Sequence, residues 1–155
     1  MTNSLGPEFF DLEQVTLRTA IRETDHAELV SLARKSPYTS AFSSIMFSGA
    51  AAYKKGWIRL AEMENEGVVA MSCVRHKVRE PKTSLYFLIV HPMMRGLHLG
   101  SLMLHDVEEQ SPHQCVQLNV NKNNSGARIF YEYHDYVVTN ERAMNGAGWG
   151  MEKSW

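Results

Sequence analysis

From Leu85 to Val90 the chain reads Leu-Tyr-Phe-Leu-Ile-Val, an unbroken apolar run. A run that short suits a central strand covered on both faces, and Pro92 ends it. Upstream, residues 15–21 alternate well enough for a first strand. Leu29, Leu32 and Ala33 then fall at helical spacing behind Thr24. That pattern predicts a helix capped by Thr24, running to about Lys35 and stopped by Ser36-Pro37. Residues 41–54 read as a second helical piece closed by Gly56. Residues 57–63 and 68–74 read as strands joined through Asn65-Glu66-Gly67, a hairpin signal with glycine at the turn.

Downstream of the apolar run, Leu99, Met103 and Val107 recur every four residues, predicting a helix over about 97–110 that Ser111-Pro112 ends. Val116, Leu118 and Val120 share one face of a strand over 115–120. Ala127, Phe130, Tyr131 and His134 mark a short helix behind Asn124. Residues 136–138 and the alternating tail 149–155 complete the strands. The order is β-α-α-β-β-β-α-β-α-β-β, which predicts an α/β or α+β sheet with helices on both faces. Residues 1–14 hold no sustained period and contain Gly6-Pro7, so they read as an arm, with Phe9 and Phe10 to order it in part. Residues 15–155 read as one domain, in keeping with a length of 155 residues.

Composition narrows the class. At 44% apolar and 21% charged the chain matches a soluble globular protein and not a disordered one. A formal net charge of −1 gives no field that favours nucleic acid or an anionic membrane, so such a partner needs a local patch. No apolar run approaches the ~20 residues that span a bilayer. There is no basic start followed by an apolar stretch. The default expectation is a cytoplasmic protein. Cys73 and Cys115 sit in apolar runs without a ligand cluster, and read as reduced thiols with no metal site.

The candidate chemistry lies where the apolar strand meets the next helix: Leu88-Ile89-Val90-His91-Pro92-Met93-Met94-Arg95-Gly96-Leu97-His98-Leu99-Gly100-Ser101. The first N–H groups of a helix lack internal partners, the dipole is positive there, and glycines let phosphate oxygens approach closely. Arg95 adds charge. The segment is neither a GxGxxG fingerprint nor a P-loop. On spacing alone it is as well explained by a plain strand-to-helix turn whose glycines serve packing.

With Val90-His91-Pro92, Arg95-Gly96-Leu97-His98-Leu99-Gly100 and, after one more strand, Asn124-Ser125-Gly126-Ala127-Arg128-Ile129-Phe130-Tyr131, the chain resembles the GNAT acetyltransferase superfamily over nearly its whole length. The resemblance implies a mixed, mostly antiparallel sheet of six to seven strands flanked by about four helices. It implies an N-acetyltransferase that moves an acetyl group from acetyl-CoA to a primary amine of a small molecule or peptide, by direct attack. Backbone groups of Leu88, Ile89 and Val90 would pair with the pantetheine arm, in a cleft between splayed central strands. Amides of Arg95, Gly96, Leu97, His98, Leu99, Gly100 and Ser101 would hold the pyrophosphate. Asn124 would touch the cofactor arm, and Tyr131 would serve as the acid that meets the leaving sulfur.

Two features depart from that pattern. His98 stands where the family usually has glycine, either as a further phosphate donor or pointing outward. Asn119, five residues ahead of Asn124, stands where some members carry a Glu, and an amide cannot act as a base. Glu62, Glu64, His76, His91 and His134 remain candidates for that role, each also readable as structural. The acceptor wall is expected from residues 36–55 and from 140–148, a stretch that reads as a flexible loop or an ordinary hairpin connection. Arg75, Lys77, Arg79 and Lys82 form a small basic run, most simply a solvated hairpin end. A nucleic-acid partner is the disfavoured option, kept open by a faint similarity to phage-type members that modify DNA bases. A non-catalytic CoA-binding domain is the other alternative. No membrane partner is expected, and the family often forms homodimers.

Overall fold

The computed structural model describes residues 14–36 and 49–155. The arm expected over 1–14, apart from Gln14, lies outside the described residues, as does most of the helical piece expected from residue 41. The strands are β1 (Val15–Thr19), β2 (Ile58–Met63), β3 (Gly67–His76), β4 (Thr83–Val90), β5 (Cys115–Asn121), β6 (Val137–Ala143) and β7 (Gly148–Ser154). The helices among the described residues are α1 (Arg22–Ala33), α2 (Ala50–Lys54), α3 (Leu99–Gln110) and α4 (Ser125–Tyr133). The strands form one sheet in the order β1-β2-β3-β4-β5-β7-β6. β4 and β5 are parallel, whereas β1–β2, β2–β3, β5–β7 and β6–β7 are antiparallel. The expected mixed sheet flanked by helices is what forms.

The chain packs as two compact units. One holds the described residues up to Cys73 together with Phe87–Val107. Here β4 explains its own sequence. Phe87 and Ile89 join a core cluster with Leu29, Leu32, Leu60 and Met71, while Leu88 and Val90 pack against a second cluster with Val69, Ala70, Leu99 and Met103. Consecutive side chains leave a strand on opposite faces, and both faces are covered, so every position is apolar. Arg59 on β2 donates through Nε and Nη2 to the buried Asp106 of α3, at 2.9 and 2.8 Å, which fixes that helix on the sheet. Arg18 grips the buried Asp25 at 2.8 and 2.9 Å and Glu62 at 2.9 Å. The start of α1 differs from expectation. The helix begins at Arg22, ahead of Thr24, because the Asp25 carboxylate accepts the Ile21 N–H at 2.7 Å and closes the first turn from inside.

The other unit holds Val74–Tyr86 and Glu108–Trp155. β5 pairs with β7 from Cys115↔Ser154 to Asn121↔Gly148, and β6 lies on the outer edge of β7. α4 covers one face: the Arg128 guanidinium lies 4.4 Å from the Trp149 ring centre, and Tyr131 meets the buried Tyr136 edge-on. The Tyr136 hydroxyl donates to Glu108 at 2.9 Å, and Lys153 donates to the same carboxylate. β6 extends to Ala143, well past the expected 136–138. As an edge strand it is mostly exposed, so its Thr-Asn-Glu-Arg stretch carries no alternation to read.

Candidate active site

The turn between β4 and α3 builds its chemistry from the backbone. Gly96 (φ +87°) and His98 (φ +61°) both adopt left-handed conformations. Between them they reverse the chain, so α3 starts at Leu99, two residues later than the periodicity suggests. The turn closes through the 3-10 bonds of Pro92–Met94, and beyond it the first N–H groups of α3 lack an intrahelical acceptor. The His98 carbonyl opens the helix by accepting the Leu102 N–H at 3.1 Å. A run of unsatisfied donors at the positive end of a three-turn helix fits a pyrophosphate. Arg95 is exposed, and its guanidinium has no partner among the described residues. Ser101 lies within the first turn of α3.

His98 is exposed and occupies the one conformation here that glycine reaches without cost. The backbone alone would favour glycine at this position, and here it carries an imidazole. Upstream, the His91 N–H donates to the Val69 carbonyl at 2.8 Å. Strand alternation then aims the backbone of Ile89 toward β3, and that of Leu88 and Val90 toward the other edge. On that other edge, the parallel ladder of β4 with β5 covers Thr83↔Val116 to Leu85↔Leu118.

In the second unit, Asn124 caps α4: its Oδ1 accepts the Ala127 N–H at 3.1 Å. Asn124 therefore has a structural duty, with its amide NH2 left over. Tyr131 stacks edge-on with Phe130 and Tyr136. Its hydroxyl makes no hydrogen bond among the described residues, and burial pushes the phenol above its ordinary range. Such a group stays protonated at neutral pH and can donate.

The base candidates are mostly occupied. Glu62 is held by Arg18, His76 Nδ1 is bonded to Thr83 Oγ1 at 2.8 Å, and His91 Nδ1 accepts the Met93 N–H. Burial lowers the pKa of both His76 and His134. Glu64 is exposed in the β2–β3 turn. In the basic run, Lys82 pairs with Glu152 at 3.1 Å and Lys77 approaches Glu80 at 3.9 Å. Arg75 and Arg79 are exposed and without a partner among the described residues. Of the expected acceptor wall, residues 37–48 lie outside the described residues. The stretch 140–148 is strand to Ala143 followed by one tight turn with positive φ at Met144, Asn145 and Gly146. Cys73 is buried, its thiol pushed up to about 12, and Cys115 is half-buried. No cluster of three or more His, Cys, Asp or Glu fit to hold a metal occurs among the described residues. None of the described helices is long and apolar enough to cross a membrane.

A mixed seven-stranded sheet flanked by helices, with a strand running through a turn into α3, is an acetyltransferase architecture. The model of the acetyltransferase (GNAT) family matches residues 18–136. The chain is 40% identical over 142 residues to a 5-NmdU N-acetyltransferase of Pseudomonas phage PaMx11, covering 91% of this chain and 99% of that one. It therefore belongs to the GNAT family, as an acyl-CoA-dependent N-acetyltransferase. Among solved structures it resembles Ard1 from Thermoplasma volcanium, with a TM-score of 0.74 at 15% identity over 91% of this chain and 97% of that one. It also resembles the PaiA N-acetyltransferase of Thermoplasma acidophilum, solved in complex with coenzyme A, with a TM-score of 0.67 at 17% identity over 91% and 99%. These two share the fold. The phage relative leaves the expectation against a nucleic-acid partner without support.

Proposed function

We propose that this enzyme transfers an acetyl group from acetyl-CoA to a primary amine carried on a nucleic-acid base. The observation that carries this reading is the 40% identity to the phage 5-NmdU N-acetyltransferase, across almost the full length of both chains. A general small-molecule or peptide amine is the coarser alternative. Asn119 gives it no help: a neutral amide stands where a carboxylate would attract a cationic acceptor.

Acetyl-CoA supplies the activated acyl group. The amides at the start of α3, with Arg95, hold its pyrophosphate, and Leu88 and Val90 pair with its pantetheine arm as an added strand. A neutral amine attacks the thioester carbonyl. The Leu88 N–H donates to the oxygen that gains charge. The carbon–sulfur bond breaks, and Tyr131, protonated well past neutral pH, gives its proton to the departing thiolate. Proton removal from the amine falls to solvent or a water chain, because the carboxylates and imidazoles weighed for that role are engaged or exposed.

The test is acetylation of three acceptors: an oligonucleotide with one primary amine on a pyrimidine, its unmodified counterpart, and a panel of alkylamines and lysine peptides. Thiol release and a mass gain of one acetyl group on the aminated oligonucleotide alone is the expected result. Efficient turnover of alkylamines or peptides with none on the base would overturn the assignment.

A further inference from the structure

Along β5, Val116, Leu118 and Val120 are buried. Gln117, Asn119 and Asn121 consequently lie on the opposite face, away from α4. Their partners on β7 are Glu152, Gly150 and Gly148, and Gly150 is flanked on its other side by Asn140 of β6. Across three strands the row reads Asn119, Gly150, Asn140. The two amides close on the missing side chain: a Cβ at Gly150 would lie 3.1 Å from Asn140 Cβ and 3.4 Å from Asn119 Oδ1. Gly150 does not have a positive φ, so its backbone does not demand glycine. A side chain there would crowd Asn140, which would have to give by a few tenths of an ångström. Asn140 Oδ1 accepts the Arg142 N–H at 2.9 Å, which leaves its NH2 group as a donor. Asn119 is exposed, and its amide makes no hydrogen bond among the described residues.

We infer that this row is the seat of the acceptor's heterocycle, with a flat pyrimidine lying over Gly150 and the Asn119 amide reading its edge. The inference rests on the base as acceptor and says how the base is chosen. A carboxamide presents one donor and one acceptor side by side, which matches the adjacent N–H and C=O of a uracil-type edge with two hydrogen bonds. Asn140 NH2 supplies a further donor to a ring carbonyl. Glycine lets the ring approach the sheet closely, as bases drawn out of a stack are held against flat surfaces. The row carries no charge, which suits a neutral heterocycle and offers nothing to a polyamine.

The experiment compares wild type, Asn119→Ala, Asn119→Asp and Gly150→Ala on the aminated pyrimidine as a nucleoside monophosphate, on the same base in a single-stranded oligonucleotide, and on a simple alkylamine. Thermal melting and acetyl-CoA titration certify each variant as folded. Asn119 is exposed, so its replacement leaves the core intact. The expected result for both Asn119 variants is a preference for base over alkylamine, measured as the ratio of kcat/KM, lowered about tenfold or more, chiefly through KM. Asp fares no better than Ala, because a carboxylate accepts but cannot donate. Gly150→Ala lowers the same ratio. Variants that retain wild-type preference would overturn the inference and leave the row as packing between strands, while the function proposed above would stand. A wild type that acetylates the alkylamine and neither base form would instead sink that function, and the row would lose its ligand with it. The two base arms tell a free nucleotide from a polymer.

Discussion

The turn at residues 95–101 and the row Asn119–Gly150–Asn140 are built on opposite principles. The first offers backbone amides on a contiguous segment, so its positions need conformations and not particular side chains. The second offers side-chain amides from two strands on either side of a glycine on a third, brought together by register alone. A backbone site of the kind proposed can accept a replacement as large as His98 and keep its amides. A side-chain site can be rewritten by one substitution, which is how one scaffold serves one cosubstrate and many acceptors.

The sharpest way to break the first site is through its support. Arg59 and Asp106 are largely buried and bonded to each other through two hydrogen bonds, and they pin α3, whose first turn is the proposed anion site. Arg59→Ala leaves a buried carboxylate without its partner, at a cost of about 3–5 kcal/mol. Denaturant unfolding should show that loss, and a midpoint unchanged from wild type would mean that α3 is held by its apolar contacts with Leu99 and Met103 alone.

Next in size is the chemistry at Tyr131. Tyr131→Phe keeps the ring packing against Phe130 and Tyr136 and removes the proposed proton donor. A general acid contributes roughly 10²-fold or more, so kcat should fall by about that factor with acetyl-CoA affinity retained. The pH profile adds a sign. The acting form is the neutral phenol, and burial raises its pKa. Deprotonation therefore removes activity only above the ordinary phenol value of ~10, and kcat should hold its alkaline plateau through that point. A fall centred between pH 8 and 9 would assign the limb to some other group.

How much of this was legible follows the same division. The β4 run, the turn and the Asn124–Tyr131 helix were readable because each is local: a period, a glycine, a cap. Only the start of β6 is legible, since an edge strand with solvent on most of its side chains has little pattern to betray its length. The start of α1 was misplaced because Asp25, whose carboxyl Arg18 holds below its usual range, does from inside the helix what Thr24 was expected to do from outside. In the sequence Asn119 stands out only as the absence of a base. Its pairing with Gly150 and Asn140 depends on registers that link residues 31 and 10 positions apart, and no local signal encodes those registers. A glycine inside an otherwise alternating strand was the one available hint.

A smaller effect is expected at Gly96. Nothing lies within 4 Å of a Cβ placed there, so the obstacle to a side chain is conformational and not steric. Its φ of +87° is a region that L residues avoid, and Gly96→Ala should cost about 1–2 kcal/mol of stability. If that strain is relieved by moving the turn, acetyl-CoA affinity should drop in the same variant. Equal stability with equal affinity would show that the left-handed turn is dispensable.

The smallest expected effect is the most telling about the backbone site. At His98 the chain already holds a side chain in the left-handed region, at φ +61°, with the imidazole exposed. His98→Gly removes that strain, worth about 1 kcal/mol, and gives back part of it as freedom of the unfolded chain. The net stability change should stay under about 1 kcal/mol, and acetyl-CoA should bind as well as before or slightly better, since the donors are the amides and those remain. A titration in which His98→Gly weakens acetyl-CoA severalfold would make the imidazole a ligand in its own right. This turn would then be a side-chain site too, and the contrast with the amide row would dissolve.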